Sequence, residues 1–389
     1  MIGQVAEWLC RGLQILGCRF DSDPGLQSLK MITQITLTDF RNHSCSRINV
    51  GDFKNIVITG LNGAGKTAIL EALSLLSGER GLRGADMQTM ARFNGNGGFS
   101  VFATTADEND VCVYFNADES NRRAKMNNEN IPLAELSKQL RIVWLTPRED
   151  RIFIDSAQER RSFFDHLVAN FSPSHIGHIS RLNKLLSERG GVIKSSGDEN
   201  WLNAIDNQSA PLAVSIAADR IRYASELNYF LESGAVSVSG MLENMLLKNS
   251  ATMVEKAYIE YLQNNRGLVG DKMVIDGAHK SDFGVFNKKL NLPAQITSTG
   301  QQKSILIDLI LAHAKLIHIK TGATPIILLD EAAAHLDENA RIKLFSDLNE
   351  LNAQVWATGL DMNVFKNIPG ALFVTCQNGT ISNIVKVRY

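Results

Sequence analysis

Lys66 and Thr67 close the stretch Gly60-Leu61-Asn62-Gly63-Ala64-Gly65-Lys66-Thr67, whose GxxxxGK[ST] spacing wraps nucleotide phosphates. Glycines at 60, 63 and 65 let such a loop turn back with its N–H groups aimed inward, and a helix N-terminus behind it adds positive potential. Lys66 would reach the β- and γ-phosphates of ATP, and the Thr67 hydroxyl would hold Mg²⁺. The bland alternative is a glycine turn with an exposed lysine. The flanks favour the phosphate loop: Asn55 to Thr59 reads as a short buried strand, and Thr67 to Leu76 carries apolar residues at helical spacing.

A second chemical cluster lies far downstream. Thr324 to Leu329 is a continuous apolar run, as expected of a parallel strand buried on both faces, and it ends in Asp330-Glu331. A carboxylate at the end of such a strand is placed to hold Mg²⁺ through water, the role assigned to Asp330. Glu331 can polarise the water that attacks the γ-phosphate, as general base. Leu336-Asp337 begins another helix. Upstream, Ser298-Thr299-Gly300-Gln301 precedes a long helix expected over Ser304 to Ile319; small hydroxyls and a glycine there make either a plain N-cap or an anion site.

The elements that must position these residues follow from patterning. Met31 to Phe40 alternates as a half-buried strand, and Asn49 to Gly51 turn into the strand before the phosphate loop. Between them, Phe40-Arg41-Asn42-His43 brings a planar cation and polar groups that could lie near a base or ribose, or form a solvated loop. Phe99 to Thr105 and Val111 to Asn116 read as paired strands, and Lys125 to Ile131 as a hairpin. Arg141 to Leu145 is a strand closed by Pro147. From Asp155 to about Asn265 the chain is mainly helical, over Ala157 to Asn170, Ser174 to Arg189, Trp201 to Ser233 and Ala251 to Asn264. Arg160, Arg161, Arg181, Lys184, Arg220 and Arg222 are its basic residues of interest, either a DNA contact or the wet face of helices. Lys272 to Ile275 is strand-like, and His279 beyond it reads as structural.

The division expected is therefore an N-terminal extension over 1–30, α/β segments over 31–150 and 271–389, and a helical lobe over 151–270. Residues 1–30 fit a signal peptide poorly, because Glu7 and Arg11 interrupt the apolar stretch. They read as an extension ahead of Met31 or a short docking helix.

At 389 residues with a formal net charge of -1, the chain has no overall positive field, so nucleic acid would have to meet a local patch. The cysteines at 10, 18, 45, 112 and 376 are scattered and lack a CxxC pair, which argues against a zinc site or disulfide framework. No apolar run approaches the 18 or so residues of a membrane span. A cytoplasmic location is expected.

Phosphate loop, helical insertion, S-x-G-Q, apolar strand with Asp-Glu, then Leu-Asp: this order resembles ABC-type ATPase heads. Within that class the chain resembles the RecF family, related to SMC proteins. The residues that carry it are Asp39-Phe40-Arg41-Asn42, the phosphate loop with Leu70-Glu71-Ala72, Trp144-Leu145-Thr146-Pro147, Glu159-Arg160-Arg161 with Phe164-Asp165, Gly277-x-His279-Lys280-x-Asp282, Ser298-x-Gly300-Gln301-Gln302-Lys303, and Leu329-Asp330-Glu331 with Leu336-Asp337.

The resemblance implies an α/β, ABC-type P-loop ATPase head (lobe I) with a helical insertion domain (lobe II), ATP and Mg²⁺ as cofactors, and slow hydrolysis. It adds Arg41, Asn42 and Asp337 to the nucleotide contacts and implies that Ser298, Gly300 and Gln301 of one head cap the γ-phosphate held by another. It further implies an ATP-dependent homodimer on duplex DNA near single-strand gaps, with RecR and RecO as partners in helping RecA load. An SMC-like or toxin-like head with another output, and a nucleotide-gated protein scaffold, are the competing readings. The chain departs from the family where Asp155-Ser156 replaces a usual Gly-Pro, and from transporter heads where Thr358 stands in place of a histidine. Glu149-Asp150 lies in the neighbourhood of the glutamine loop.

Overall fold

The computed structural model describes residues 31–195, 197–267, 275–323, 325–331, 333 and 336–387. The expected N-terminal extension, and the strand expected at Lys272 to Ile275 apart from its last residue, lie outside them.

Strands β1 (Ile32–Phe40) and β2 (His43–Asn49) form a hairpin, and β3 (Asn55–Thr59) leads into the phosphate loop and helix α1 (Lys66–Leu75). After a short helix α2 (Met87–Met90) come β4 (Phe99–Thr105), β5 (Asp110–Phe115), β6 (Arg123–Met126) and β7 (Glu129–Ile131). These build an antiparallel sheet in the order β2-β1-β4-β5-β6-β7. The expected strand pair and hairpin are present, with Asn127 and Asn128 at positive φ in the hairpin turn. Strand β2 is an addition to the expected elements, since His-Ser-Cys-Ser-Arg-Ile-Asn has little apolar alternation to mark it. The tight turn at Arg41, with φ 53, folds it back on β1.

Helix α3 (Leu133–Gln139) precedes β8 (Ile142–Leu145), the edge of a second sheet whose order is β15-β14-β3-β13-β12-β8. Its other members are β12 (Ile326–Leu329), β13 (Gln354–Gly359), β14 (Ala371–Gln377) and β15 (Thr380–Lys386), and all but β15 run parallel. Successive side chains of a strand face opposite ways, so apolar runs such as Asn-Ile-Val-Ile-Thr suit a sheet covered on both sides. Ile56, Ile58, Ile326, Leu328 and Trp356 join α1 and the antiparallel sheet in one core. Val57, Ile327, Leu329, Val355 and Ala357 enter another core on the opposite face. Each fully buried Val, Leu or Ile side chain among these contributes about 1.5–3 kcal/mol of transfer free energy.

The helical segment comprises α4 (Ala157–Ala169), α5 (His175–Ser195), α6 (Glu199–Phe230), α7 (Met241–Leu246) and α8 (Ala251–Asn264). Helix α6 divides its apolar residues. Ala213, Val214 and Ala217 pack with Leu182, Val254 and Tyr258, whereas Tyr223 and Leu227 join the parallel-sheet core with Phe163 and Phe164 of α4. The helix expected up to Ser233 ends at Phe230, and Gly234–Ser239 is a strand, β9, paired with β10 (Asp282–Asn287) and through it with β11 (Leu292–Pro293). Helix α9 (Thr299–Thr321) starts five residues before the expected Ser304, because a Ser298–Gln301 capping box closes its first turn. Helix α10 (Glu338–Glu350) completes the set.

Three of the basic residues singled out are used internally. Arg160 forms a two-pronged pair with Asp282, at 2.9 and 2.6 Å, and Arg161 donates to the Ser281 carbonyl at 2.8 Å. Arg220 is buried, holds both oxygens of Asp165 at 2.7 Å and also donates to the Ala278 carbonyl. The sequence could not show that these cations meet carboxylates and carbonyls far along the chain. Arg181, Lys184 and Arg222 remain exposed.

Candidate functional site

The phosphate loop joins the carboxyl end of β3 to α1, beside the carboxyl ends of β12 and β13, where ligands of open α/β sheets bind. Gly60, Gly63 and Gly65 all have positive φ, which lets the loop turn back on itself. Lys66 is buried and its ammonium donates to the Gly60 and Leu61 carbonyls at 2.9 and 3.1 Å.

The upstream and downstream clusters meet here. The Thr67 hydroxyl donates to Asp330 Oδ1 at 3.0 Å, and the Thr358 hydroxyl donates to the same oxygen at 2.8 Å. Burial pushes the Asp330 carboxyl above its ordinary value, the two hydroxyls pull it down, nearby Glu331 pushes it up and Arg83 pulls it down; the net is upward. Because Thr67 gives its proton to Asp330, its oxygen lone pairs are left for a cation. Mg²⁺ draws most of its ligands from phosphate oxygens and water, so this pair suffices for its protein side. Among the described residues, no group of three or more His, Cys, Asp or Glu is arranged so that it could hold a metal ion by itself. The residues therefore fit a metal carried in with a polyphosphate.

Glu331 has φ 54, a left-handed conformation rare for a residue with a side chain, and its N–H donates to Thr358 Oγ1 at 2.9 Å. Thr358 thus fixes both carboxylate residues. Glu331 borders an open cleft of about 630 Å³ lined also by Arg41, Asn42, Asn62, Gly63, Gly65, Lys66 and Thr67. Gly60, Leu61 and Ala64 shape the loop without lining the cleft, and Leu61 projects outward, 81% exposed.

Arg41 and Asn42 border the cleft yet are engaged in holding it together. Arg41 forms a two-pronged pair with buried Glu71 of α1, at 2.7 and 2.6 Å, and donates to the Thr89 carbonyl. Asn42 donates to the Gly63 carbonyl at 3.3 Å. Sequence reasoning misses the role of Thr358 in holding Asp330 and Glu331, and misses Arg83, Arg92 and Phe93, which also line the cleft. The signal for Arg83 lies in its position just after the phosphate-loop helix; nothing local marks Phe93.

Ser298, Gly300, Gln301 and Asp337 do not line this cleft. Ser298 and Gln301 cap each other's backbone N–H groups, and Asp337 accepts from the Ala340 N–H at 2.9 Å to cap α10. Ser298, Gly300 and Gln301 nonetheless lie exposed beside Ile296, an apolar side chain 67% exposed. Glu149 binds the Thr146 N–H and hydroxyl at 2.6 Å, and Asp150 pairs with Lys303 at 3.3 Å, linking the expected glutamine-loop neighbourhood to the second turn of α9.

A family model described as the RecF/RecN/SMC N terminal domain matches residues 31–383. A DNA replication and repair protein RecF from Mesorhizobium japonicum is 36% identical over 370 residues, covering 90% of this chain and 97% of that protein. The solved structure of the recombination mediator protein RecF-ATPrS in the RecFOR pathway superposes with a TM-score of 0.79 at 20% identity, over 92% of this chain and 99% of that one. An Smc head domain of Pyrococcus furiosus superposes with a TM-score of 0.50 at 14% identity, over 92% and 97%. These likenesses show the α/β fold of an ABC-type ATPase head.

Proposed function

The chain belongs to the RecF family, and on that premise we propose that it is an ATP-dependent DNA-binding protein of recombinational repair and replication. The observation that carries the reading is the meeting of Lys66 and Thr67 with Asp330 and Glu331 at the carboxyl ends of the parallel strands. Mg²⁺, when bound, neutralises charge on the β- and γ-phosphate oxygens. Thr67 would offer it an oxygen, Asp330 would hold it through water, and Lys66 would offer an ammonium to the phosphates. Glu331 orients a water and takes its proton, giving slow hydrolysis.

Two copies would pair through ATP. The exposed Ser298-x-Gly300-Gln301 turn and Asp337 of one would meet the γ-phosphate side of the other, with Leu61 and Ile296 supplying apolar contact at the join. We divide the chain as lobe I over 31–150 and 271–389, with a helical lobe II over 151–270. The pair would hold duplex DNA near single-strand gaps in the cytoplasm and assist RecA loading with RecR and RecO. A protein-only scaffold is separated from this reading by one experiment: gel shifts on gapped duplex, with and without MgATP, across a salt series. ATP-dependent, salt-sensitive binding is expected; no DNA binding under any condition overturns it.

A further inference from the structure

Two turns grip the phosphate loop from outside by its carbonyls. Gly63 O accepts from Asn42; Ala64 O accepts from the Gly379 N–H at 2.8 Å and the Cys376 thiol at 3.1 Å; Gly65 O faces His43 Nε2 at 3.1 Å. Across a planar trans peptide the next N–H points the opposite way, so holding the Ala64 and Gly65 carbonyls outward turns the Gly65 and Lys66 N–H groups inward. Gly65 must be glycine for this approach. Its φ is +113, and a Cβ there would lie 2.5 Å from His43 Nε2.

The protons around His43 do not balance for a neutral ring. The ring is buried, with Nδ1 2.8 Å from Ser46 Oγ, which in turn lies 3.1 Å from the Gly379 carbonyl. From Gly65 O to Gly379 O there are three contacts, and both ends can only accept. A neutral imidazole and one hydroxyl carry two protons between them, so one contact must go without; an imidazolium and a hydroxyl carry three. Burial acts the other way and holds the ring below its ordinary value, against the pull of the Gly65 and Gly379 carbonyls. On the surrounding elements, Arg41 is neutralised by Glu71, Asp39 of β1 is paired with Arg92, and Arg47 of β2 donates to the Gln34 amide oxygen; Lys66 lies on the loop, the Cys45 and Cys376 thiols on β2 and β14, and Lys386 on β15. None is an anion free to hold the imidazolium.

We propose that His43 is a positioning residue of the phosphate loop that takes up a proton from solvent when a nucleotide polyphosphate enters, completing the bond chain from Gly65 to Gly379. The inference rests on the nucleotide reading above. The entering phosphates supply the missing negative charge and offset the Lys66 cation, so the protonated ring becomes favourable and the loop is fixed with its N–H groups inward. Linkage then requires nucleotide affinity to rise as pH falls through the window between the ring's lower free value and its higher bound value.

The test is calorimetric titration of the full chain with MgADP at pH 6 to 8, in buffers of different ionisation enthalpy, which counts protons taken up per nucleotide. The wild type is expected to take up a fraction of a proton, and its affinity to strengthen as pH falls by up to about tenfold per pH unit. His43→Gln, which can donate to Gly65 O but cannot titrate in this range, should show only the pH dependence of the nucleotide itself. Ser46→Ala removes the contact that demands the third proton, so uptake should fall while binding persists; it decides the matter if the His43 variant does not fold. Equal proton uptake in the wild type and the variants overturns the proposal and leaves the nucleotide site standing. Failure of the wild type to bind MgADP overturns the nucleotide reading, and this inference with it.

Discussion

The Thr67 hydroxyl and the Asp330 carboxylate, 263 positions apart in the chain, stand 3.0 Å apart with Thr358 donating to the same carboxylate oxygen. Burial leaves that carboxyl raised, so as an anion it opposes folding near neutral pH. Asp330→Asn is therefore expected to keep or raise the melting temperature while weakening Mg²⁺ affinity by roughly 10–100-fold. Thermal melts beside Mg²⁺-dependence curves of ATP turnover check both. A large fall in melting temperature would make Asp330 a structural carboxylate.

Lys66→Ala removes the phosphate charge partner and leaves the Gly60 and Leu61 carbonyls without its donor. ATP binding should weaken and ATP-dependent association vanish, read by equilibrium dialysis and light scattering. Wild-type ATP affinity in this variant is incompatible with the proposed site.

The local parts of this site could be read from the sequence; its long-range parts could not. Strand, glycine loop and helix from Asn55 to Leu75 follow one another in the chain, and each declares itself by spacing. Asp330 was placed by the apolar run that ends at it. Thr358 carries no local mark, and its role exists only because β13 lies between β3 and β12. The misreading of Arg160, Arg161 and Arg220 has the same origin. A helical arginine looks solvated until Asp282, 122 positions on, is folded against it.

Arg220 supplies a stability test of that correction. Removing it leaves Asp165 buried without its two-pronged partner, so Arg220→Ala should cost roughly 3–5 kcal/mol in denaturant unfolding. Arg222→Ala, at an exposed guanidinium 3.5 Å from Asp219, should change stability by no more than about 0.5 kcal/mol. Equal effects would contradict the internal role of Arg220.

His175 lies between Asp165 at 3.0 Å and Asp219 at 3.3 Å. Burial pulls its value down, but hydrogen bonds to the two carboxylates outweigh that and hold it above 6.5. A raised folded value means that its stabilisation is complete below 6.5 and is lost as pH rises through the folded value. For Asp165 and Asp219, burial is outweighed by bonds to His175, with Arg220 and Ser172 adding, so their values lie below 3.8; their contribution is present above 3.8 and lost as pH falls through the lowered values. Unfolding midpoints should accordingly decline from pH 6.5 upward. His175→Gln should flatten that decline, and an unchanged slope would remove the histidine from the account.

The last prediction separates hydrolysis from pairing. Glu331→Gln should keep ATP affinity while losing about 10²–10⁴-fold in turnover, trapping an ATP-bound dimer. Ser298→Arg should bind ATP as a monomer and fail to pair, since the side chain would intrude on the partner's γ-phosphate side. The same change removes an N-cap worth about 1 kcal/mol, so a small loss of stability is expected on any reading. Pairing is the discriminating readout. Light scattering with ATP should show a persistent dimer for the first variant and only monomer for the second, and duplex affinity should follow the dimer. Mixing Ser298→Arg with Lys66→Ala is the sharper test. In a mixed dimer one composite site combines both defects, while the other joins an intact phosphate loop to an intact Ser-x-Gly-Gln turn. Some ATP-dependent pairing should reappear although neither protein pairs alone. If Ser298→Arg dimerises by itself, the capping box is the whole role of Ser298, and the proposal that it reaches a partner's nucleotide fails.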